Sequence, residues 1–225
     1  MWMDAIIIIF FPMNNFTLSS SSFFRSKLFE PALIGLAIFV SYGFHIPSLG
    51  FYGDDWARVL THSDFDITFS LGNFVVGELI QILGANPSIY HFLGCLLLFS
   101  TAMLLLKTLR LIEFNKISSL SISLLFVVYP GQAQPAGVLD LTPVYIGIAF
   151  AFLSVQQFYF WIIEDSPGNF HSIIGISCAT IGLLITPFSA TFTGLLIVIL
   201  LIVNFNRKNE KKYFRLFILT SIIFI

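Results

Sequence analysis

Long apolar runs separated by short polar segments recur along the whole chain. A membrane hydrocarbon core of about 30 Å requires roughly 20 apolar residues in a helix, and every backbone polar group there needs a partner within the protein. The pattern therefore predicts an all-α fold, a polytopic transmembrane helical bundle with six to seven spans. The predicted spans cover residues 31–45, 89–106, 117–129, 142–163, 171–185, 191–203 and 213–225.

One apolar segment, at residues 69–83, differs from these runs because it contains two glycines, Glu78 and Gln81. A carboxylate in the middle of a span is costly. We therefore expect an amphipathic helix that lies in the membrane interface rather than a further span. Residues 84–88 are typical of a turn, and Ser88 is a candidate N-cap of the next helix.

Composition supports this class of protein. The chain is 57% hydrophobic and 10% charged, with a mean hydropathy of +0.92, whereas soluble domains carry about 25% charged residues. It has no basic stripe of the kind that nucleic-acid binding requires, so a nucleic-acid partner is not expected. Cys95 and Cys178 both lie in apolar runs, which favours two buried thiols over a disulfide or a metal pair.

The basic residues predict the orientation of the chain. With a cytoplasmic N-terminus and no crossing at residues 69–83, only Arg58 of the eleven Lys and Arg residues faces outside, a strong positive-inside asymmetry. A crossing there would reverse every later loop and remove the asymmetry. We expect residues 1–30 to form a cytoplasmic or interfacial N-terminus, and residues 31–225 to form the transmembrane domain. Residues 47–88 are its first extracytoplasmic loop.

The ends of the chain carry two further expectations. No cleavable signal sequence is apparent, so the first span itself would direct insertion, and a bacterial cytoplasmic membrane is the expected location. The last apolar run stops in mid-span at Ile225. We therefore expect the chain to be truncated C-terminally, as the N-terminal part of a longer protein.

Candidate chemistry is concentrated in the first outside loop, in the motif Gly53-Asp54-Asp55-Trp56. An acidic pair at a membrane edge is a functional-site hypothesis, because charges are costly to keep there. Of Asp54 and Asp55, one carboxylate can act as a general base while the other orients it or binds an ion. Arg58 suits a phosphate group, since its guanidinium is planar and permanently charged.

Other polar residues can add contacts, although each also has a simpler interpretation. Tyr52 and His91 can donate hydrogen bonds to a substrate, but Tyr52 is also typical of an interfacial aromatic belt, and His91 of an ordinary helix start. His62, Asp64 and Asp66 are best explained as solvated loop residues. The chain contains no sequence pattern of a zinc hydrolase, a redox dithiol or a phosphate-binding loop.

The order of these features resembles polytopic GT-C-type glycosyltransferases. A cytoplasmic N-terminus, one span and an outside loop with Gly53-Asp54-Asp55-Trp56 precede an interfacial helix and a span that opens with Pro87-Ser88-Ile89-Tyr90-His91. The run Leu125-Phe126-Val127-Val128-Tyr129-Pro130-Gly131-Gln132 is similar to a helix end in bacterial membrane mannosyl- and glucosyltransferases. The resemblance covers about residues 31–163.

The resemblance implies sugar transfer from a lipid-linked donor, a polyprenyl-phosphate sugar, to a glycan, lipid or protein acceptor on the outer face. Carried over, Asp54 is the catalytic base, and Asp55 its partner. The second outside loop departs from the family: where relatives often have an acidic or histidine-bearing loop, this chain offers Gln132, Gln134 and, further on, Asp140 as substrate contacts. Whether Asp54 and Asp55 hold a divalent cation such as Mg²⁺ or Mn²⁺ stays open.

Two other function classes stay open as well. A transporter or flippase of a lipid-linked glycan predicts charges along a pathway through the spans, for which Glu78 is the candidate. A non-catalytic membrane protein fragment predicts that Asp54 and Asp55 can be replaced without loss. An outside cavity that opens to the bilayer beside the acidic motif would favour the transferase.

Overall fold

The structure, a computed structural model, describes residues 28–48, 50, 71–129, 142–163 and 170–186, together with Ser189, Thr191, Thr193, Gly194 and Ile197. All regular secondary structure in this part of the chain is helical, which confirms the all-α prediction. The helices are α1 (Phe29–Ser41), a 3-10 helix (Gly43–Ser48), α2 (Leu71–Leu83), α3 (Pro87–Leu111), α4 (Lys116–Val128), α5 (Thr142–Ile163) and α6 (Phe170–Ile185).

Three described helical segments are long and apolar enough to cross a membrane, by length and composition: Phe29–Ser48, Pro87–Leu111 and Thr142–Trp161. They are compatible with an integral membrane protein. Fewer segments qualify than the six to seven predicted, because α4 and α6 have 13 and 16 residues. At 1.5 Å per residue these are about 20 and 24 Å long, short of a core of about 30 Å. The predicted span at 213–225, and most of that at 191–203, lie outside the described residues.

Polar contacts fix the directions of α1, α3 and α4. At one end of the bundle, Glu30 of α1 forms ion pairs with Arg110 of α3 and Lys116 of α4. At the other end, the Tyr42 hydroxyl donates a hydrogen bond of 2.8 Å to the Val127 carbonyl of α4. Helices α1 and α4 therefore run parallel, and α3 runs against both. We call these two ends the basic end and the tyrosine end.

Helix α5 runs in the same direction as α3. Thr101 donates a hydrogen bond to the Tyr145 carbonyl near the start of α5, and Gln156 donates one to the Thr108 hydroxyl further along both helices. Helix α6 runs back along α5, because Ser154 bonds the Gly175 carbonyl. Helices α3 and α5 thus begin at the tyrosine end, where α6 finishes.

Small residues let α5 and α6 approach closely. A Cβ placed on Gly147 of α5 would overlap the Cγ2 of Thr186, and one on Gly182 of α6 would lie 3.2 Å from the Gly147 carbonyl. Glycine at such positions allows close backbone packing, which is the main source of attraction between helices in lipid. Larger apolar side chains fill the α3–α5 contact, among them Leu105 and Phe152.

Helix α2 does not extend from one end of the bundle to the other. Its first turn meets α5 and α6, since a Cβ on Gly72 would lie 2.5 Å from the Ile185 carbonyl and 2.7 Å from the Cβ of Pro143. A turn of three residues joins its last residue, Leu83, to the start of α3. Its 13 residues are also too few to span. This geometry accords with an interfacial helix, although its depth in a membrane stays a prediction.

The N-cap of α3 is Asn86, and the predicted cap at Ser88 is wrong. The Asn86 side chain accepts a hydrogen bond from the Ser88 backbone N–H at 3.1 Å. Pro87 occupies the first helical position, where its fixed φ and missing N–H are favourable. The cap therefore falls on the residue before the proline.

Replacing Gly147 with alanine should destabilise the α5–α6 contact. The new methyl group must displace Thr186, and overpacking of this kind costs about 1–3 kcal/mol, more than the gain in helix propensity of about 1 kcal/mol. Gly35→Ala is the matched control, because a Cβ there lies 3.8 Å from Phe99, an ordinary contact. Denaturant unfolding in detergent should show Gly147→Ala below the parent and Gly35→Ala at or above it. Equal stability of the two variants would contradict this packing.

Cysteine labelling should place the two ends of the bundle on opposite sides of the membrane. Cys95 and Cys178 are free thiols and would first be replaced by serine. A membrane-impermeant maleimide applied to intact cells should then label Ala85→Cys in the α2–α3 turn. It should label Lys116→Cys only after permeabilisation. Labelling of both from one side would exclude the proposed course of α3 across the membrane.

Candidate functional site

Most of the predicted site residues lie outside the described part of the chain. His91 is described, whereas the remaining predicted residues are not: Tyr52, Asp54, Asp55, Arg58, Gln132 and Asp140. Within the described residues, no three His, Cys, Asp or Glu side chains lie close enough together to hold a metal ion. A cation at Asp54 and Asp55 therefore stays a prediction.

His91 lies in the second turn of α3 and is 1% exposed. Its Nε2 lies 3.1 Å from the Gly50 carbonyl oxygen. Because a carbonyl can only accept, Nε2 carries the proton in this hydrogen bond, an assignment made from the partner. Gly50 comes three residues before Gly53 in the sequence. His91 therefore holds the chain immediately upstream of the acidic motif, and its predicted contact with a substrate stays a prediction.

The preceding residue, Tyr90, contacts α2 and the turn that follows it. Its hydroxyl donates to the Gly84 carbonyl at 2.5 Å, and its ring packs on Val76 and Ile80 of α2. Adjacent side chains of α3 thus hold the chain before and after residues 51–70. The segment that carries the acidic motif is consequently attached to the tyrosine end through both of its flanks.

The second predicted outside loop is attached at the same end of the bundle. It follows Tyr129, which ends α4 beside the Val127 carbonyl that Tyr42 contacts, and it leads into Thr142 at the start of α5. Because of the helix directions, the described residues next to the loop with Asp54 and those next to the loop with Asp140 lie at the same end of the bundle. The two loops are far apart in sequence, and the fold brings the described residues that flank them to one end.

The basic end contains a carboxylate that the sequence pattern did not single out. Glu30 is 8% exposed, and its Oε1 lies 2.5 Å from Nη2 of Arg110 and 3.4 Å from Nζ of Lys116. The sequence did contain a signal for this ion pair. Glu30 precedes a proline at the start of a predicted span, and the predicted topology places it on the same side of the membrane as most of the basic residues. Lys107 and Arg110, expected in a loop, instead lie in the last turns of α3.

Polar side chains between the two ends are already engaged. Thr101 and Thr108 donate to carbonyls one turn earlier in α3, each at 2.8 Å. Gln156 donates to Thr108, and Ser154 to the Gly175 carbonyl. Glu78, the candidate for a transport pathway, is exposed on α2. In the described spans the charged residues Glu30, Lys107 and Arg110 lie near the helix ends.

The fold and the site define a class, a polytopic all-helical protein compatible with an integral membrane location. Comparison of the chain with protein-family models, with curated proteins and with solved structures found no match.

Removing the His91 hydrogen bond should loosen the chain around Gly50. His91→Leu leaves the partly buried Gly50 carbonyl without this donor, which should cost about 0.5–1.5 kcal/mol. Hydrogen exchange measured by mass spectrometry should rise in the peptide that contains Gly50. His91→Gln, whose amide can still donate, should retain part of the protection.

The matched control is His171→Leu on α6, where the lost contact is a hydrogen bond of 2.8 Å to Gln157. It should lower stability without raising exchange at Gly50 selectively. If both leucine variants raise exchange at Gly50 equally, the effect is general destabilisation and His91 has no local anchoring role.

Proposed function

We propose that the chain belongs to a membrane glycosyltransferase that moves a sugar from a lipid-phosphate carrier to an extracytoplasmic acceptor, with an acidic residue of the first outside loop as base. The observation that carries the proposal is the shared attachment of two polar loops to one end of the bundle. The flanks of the acidic motif are held there by His91 and Tyr90. The loop with Gln132 and Asp140 leaves from the same end.

The proposed reaction assigns a role to each acidic-loop residue. Asp54 takes the proton from the acceptor hydroxyl as its oxygen bonds to the anomeric carbon of the sugar. The bond from that carbon to the carrier phosphate breaks, and the phosphate leaves with the bonding electron pair. Arg58 stabilises the phosphate charge, and Asp55 orients Asp54 or the acceptor. A divalent cation on Asp54 and Asp55 would serve the same end as Arg58.

A lipid-linked donor also explains why this chemistry sits on so apolar a scaffold. The donor's hydrocarbon tail stays in the bilayer, so its phosphate is presented at the membrane surface. An active site at the tyrosine end would receive the donor laterally and the acceptor from the outer side. This arrangement requires a cytoplasmic N-terminus, in a membrane such as the bacterial cytoplasmic membrane.

The described spans favour the transferase over transport of an anionic solute. A transport pathway needs polar or charged groups along its length. Here Thr101, Thr108, Ser154 and Gln156 are satisfied by helix carbonyls or by each other. These contacts stabilise helix packing and leave those groups engaged within the protein.

Asp54→Asn in the full-length gene should abolish most sugar transfer. Loss of a general base typically lowers the rate by about 10²–10⁴-fold. The measurement is incorporation of labelled sugar from a lipid-linked donor by membranes, at matched protein levels. Asp64→Asn, in the same loop, is the control and should retain activity. Unchanged transfer with Asp54→Asn would refute the base assignment.

A further inference from the structure

A groove of about 640 Å³ opens between α1, α3 and α5 near the basic end. This volume lies within the range of about 300–1,000 Å³ that is typical of ligand sites. Its floor is a stripe along α3, and Leu153 of α5 forms part of one wall. The α3 residues that matter for its character are Ser100, Met103, Leu104, Lys107 and Arg110.

The groove changes from apolar to cationic along α3. Met103 and Leu104 lie between Ser100 at one end and the two cations, Lys107 and Arg110, at the other. The Ser100 hydroxyl already donates a hydrogen bond to the Leu96 carbonyl at 2.9 Å. Its proton is therefore engaged within α3 and does not attract a polar ligand to the apolar end. The groove therefore suits a molecule with an apolar tail and an anionic head.

The length of the groove matches one leaflet of a bilayer. From Ser100 to Arg110 the axis of α3 rises about 15 Å, at 1.5 Å per residue. Half of a hydrocarbon core of about 30 Å is also about 15 Å. If α3 spans the membrane, the cations lie at the surface of one leaflet and Ser100 lies near the midplane.

The charge at the head of the groove is positive. Glu30 is the carboxylate there, and it is paired with both Arg110 and Lys116. Lys107 forms no ion pair with any residue in the part of the chain that the structure describes. The guanidinium of Arg110 has five N–H donors, so its contact with Glu30 leaves donors for a second anion.

We propose that this groove binds an anionic phospholipid of the bilayer, with its phosphate at Lys107 and Arg110 and one acyl chain along Met103, Leu104 and Leu153. The predicted orientation places this end in the cytoplasmic leaflet, where juxtamembrane basic groups attract anionic lipid. The site lies at the opposite end from the acidic motif and does not depend on sugar transfer.

The test is native mass spectrometry of the purified chain, with phosphatidylglycerol or phosphatidylcholine added at equal concentration. The chain should retain phosphatidylglycerol preferentially. Lys107→Gln should weaken its retention about fivefold, because the variant loses a cation that contacts the lipid phosphate inside the groove. Lys116→Gln is the matched control, since Lys116 does not line the groove, and it should weaken retention much less. Ser100→Phe, which fills the apolar end, should lower retention of both lipids.

Three results would overturn the proposal. Equal retention of the two phospholipids by the parent chain would show that the head of the groove does not select an anion, and this comparison needs no variant to fold. Equal weakening by Lys107→Gln and Lys116→Gln would show a diffuse charge effect. Stronger retention of an added polyprenyl phosphate than of phosphatidylglycerol, lost in Lys107→Gln, would assign the groove to a different lipid.

Discussion

The need to pair every polar group inside an apolar bundle is the constraint on which this fold depends. Backbone groups meet it by forming helices, and buried hydroxyl groups meet it locally. Ser123 and Ser119 of α4 donate to carbonyls one turn earlier, as Thr101 and Thr108 do in α3. Between helices, Tyr42 reaches the Val127 carbonyl at the end of α4. Such hydrogen bonds fix the relative positions of the helices more specifically than apolar packing alone would.

Helix α3 shows how this constraint organises the whole bundle. It packs against α1, α4, α5 and the 3-10 helix, and different side chains serve each neighbour. His91 and Tyr90 hold the flanks of the first loop, and Arg110 pairs with Glu30 of α1. The contacts of this long central helix thus determine which segments of the chain lie together at each end of the bundle. Side chains of α3 therefore hold described residues on both sides of the segment that carries the acidic motif.

Apolar periodicity predicted the helices well where their boundaries follow composition. The span predicted at residues 142–163 coincides with α5, since polar segments flank it. The end of the first span is different, because Gly43 and Pro47 change it into a 3-10 helix. The Glu30–Arg110 pair could not be read from local pattern, as its partners are 80 residues apart. The acidic motif was found by its charge alone, and its side-chain geometry depends on contacts that no spacing specifies.

The distribution of paired charges limits where acid–base chemistry can occur. A general base must be free to accept a proton at the moment of reaction. Glu30 is held by Arg110 and Lys116, so protonating it would break both ion pairs. Glu78 lies on the exposed face of α2, and neither of its neighbours in the sequence is an acid that could share its task. The adjacent pair Asp54 and Asp55 stays the predicted base, and the described residues that flank its segment and the loop of Asp140 lie at the tyrosine end. Acid–base chemistry at the tyrosine end therefore stays a prediction, which the ion pairing of Glu30 at the basic end leaves open.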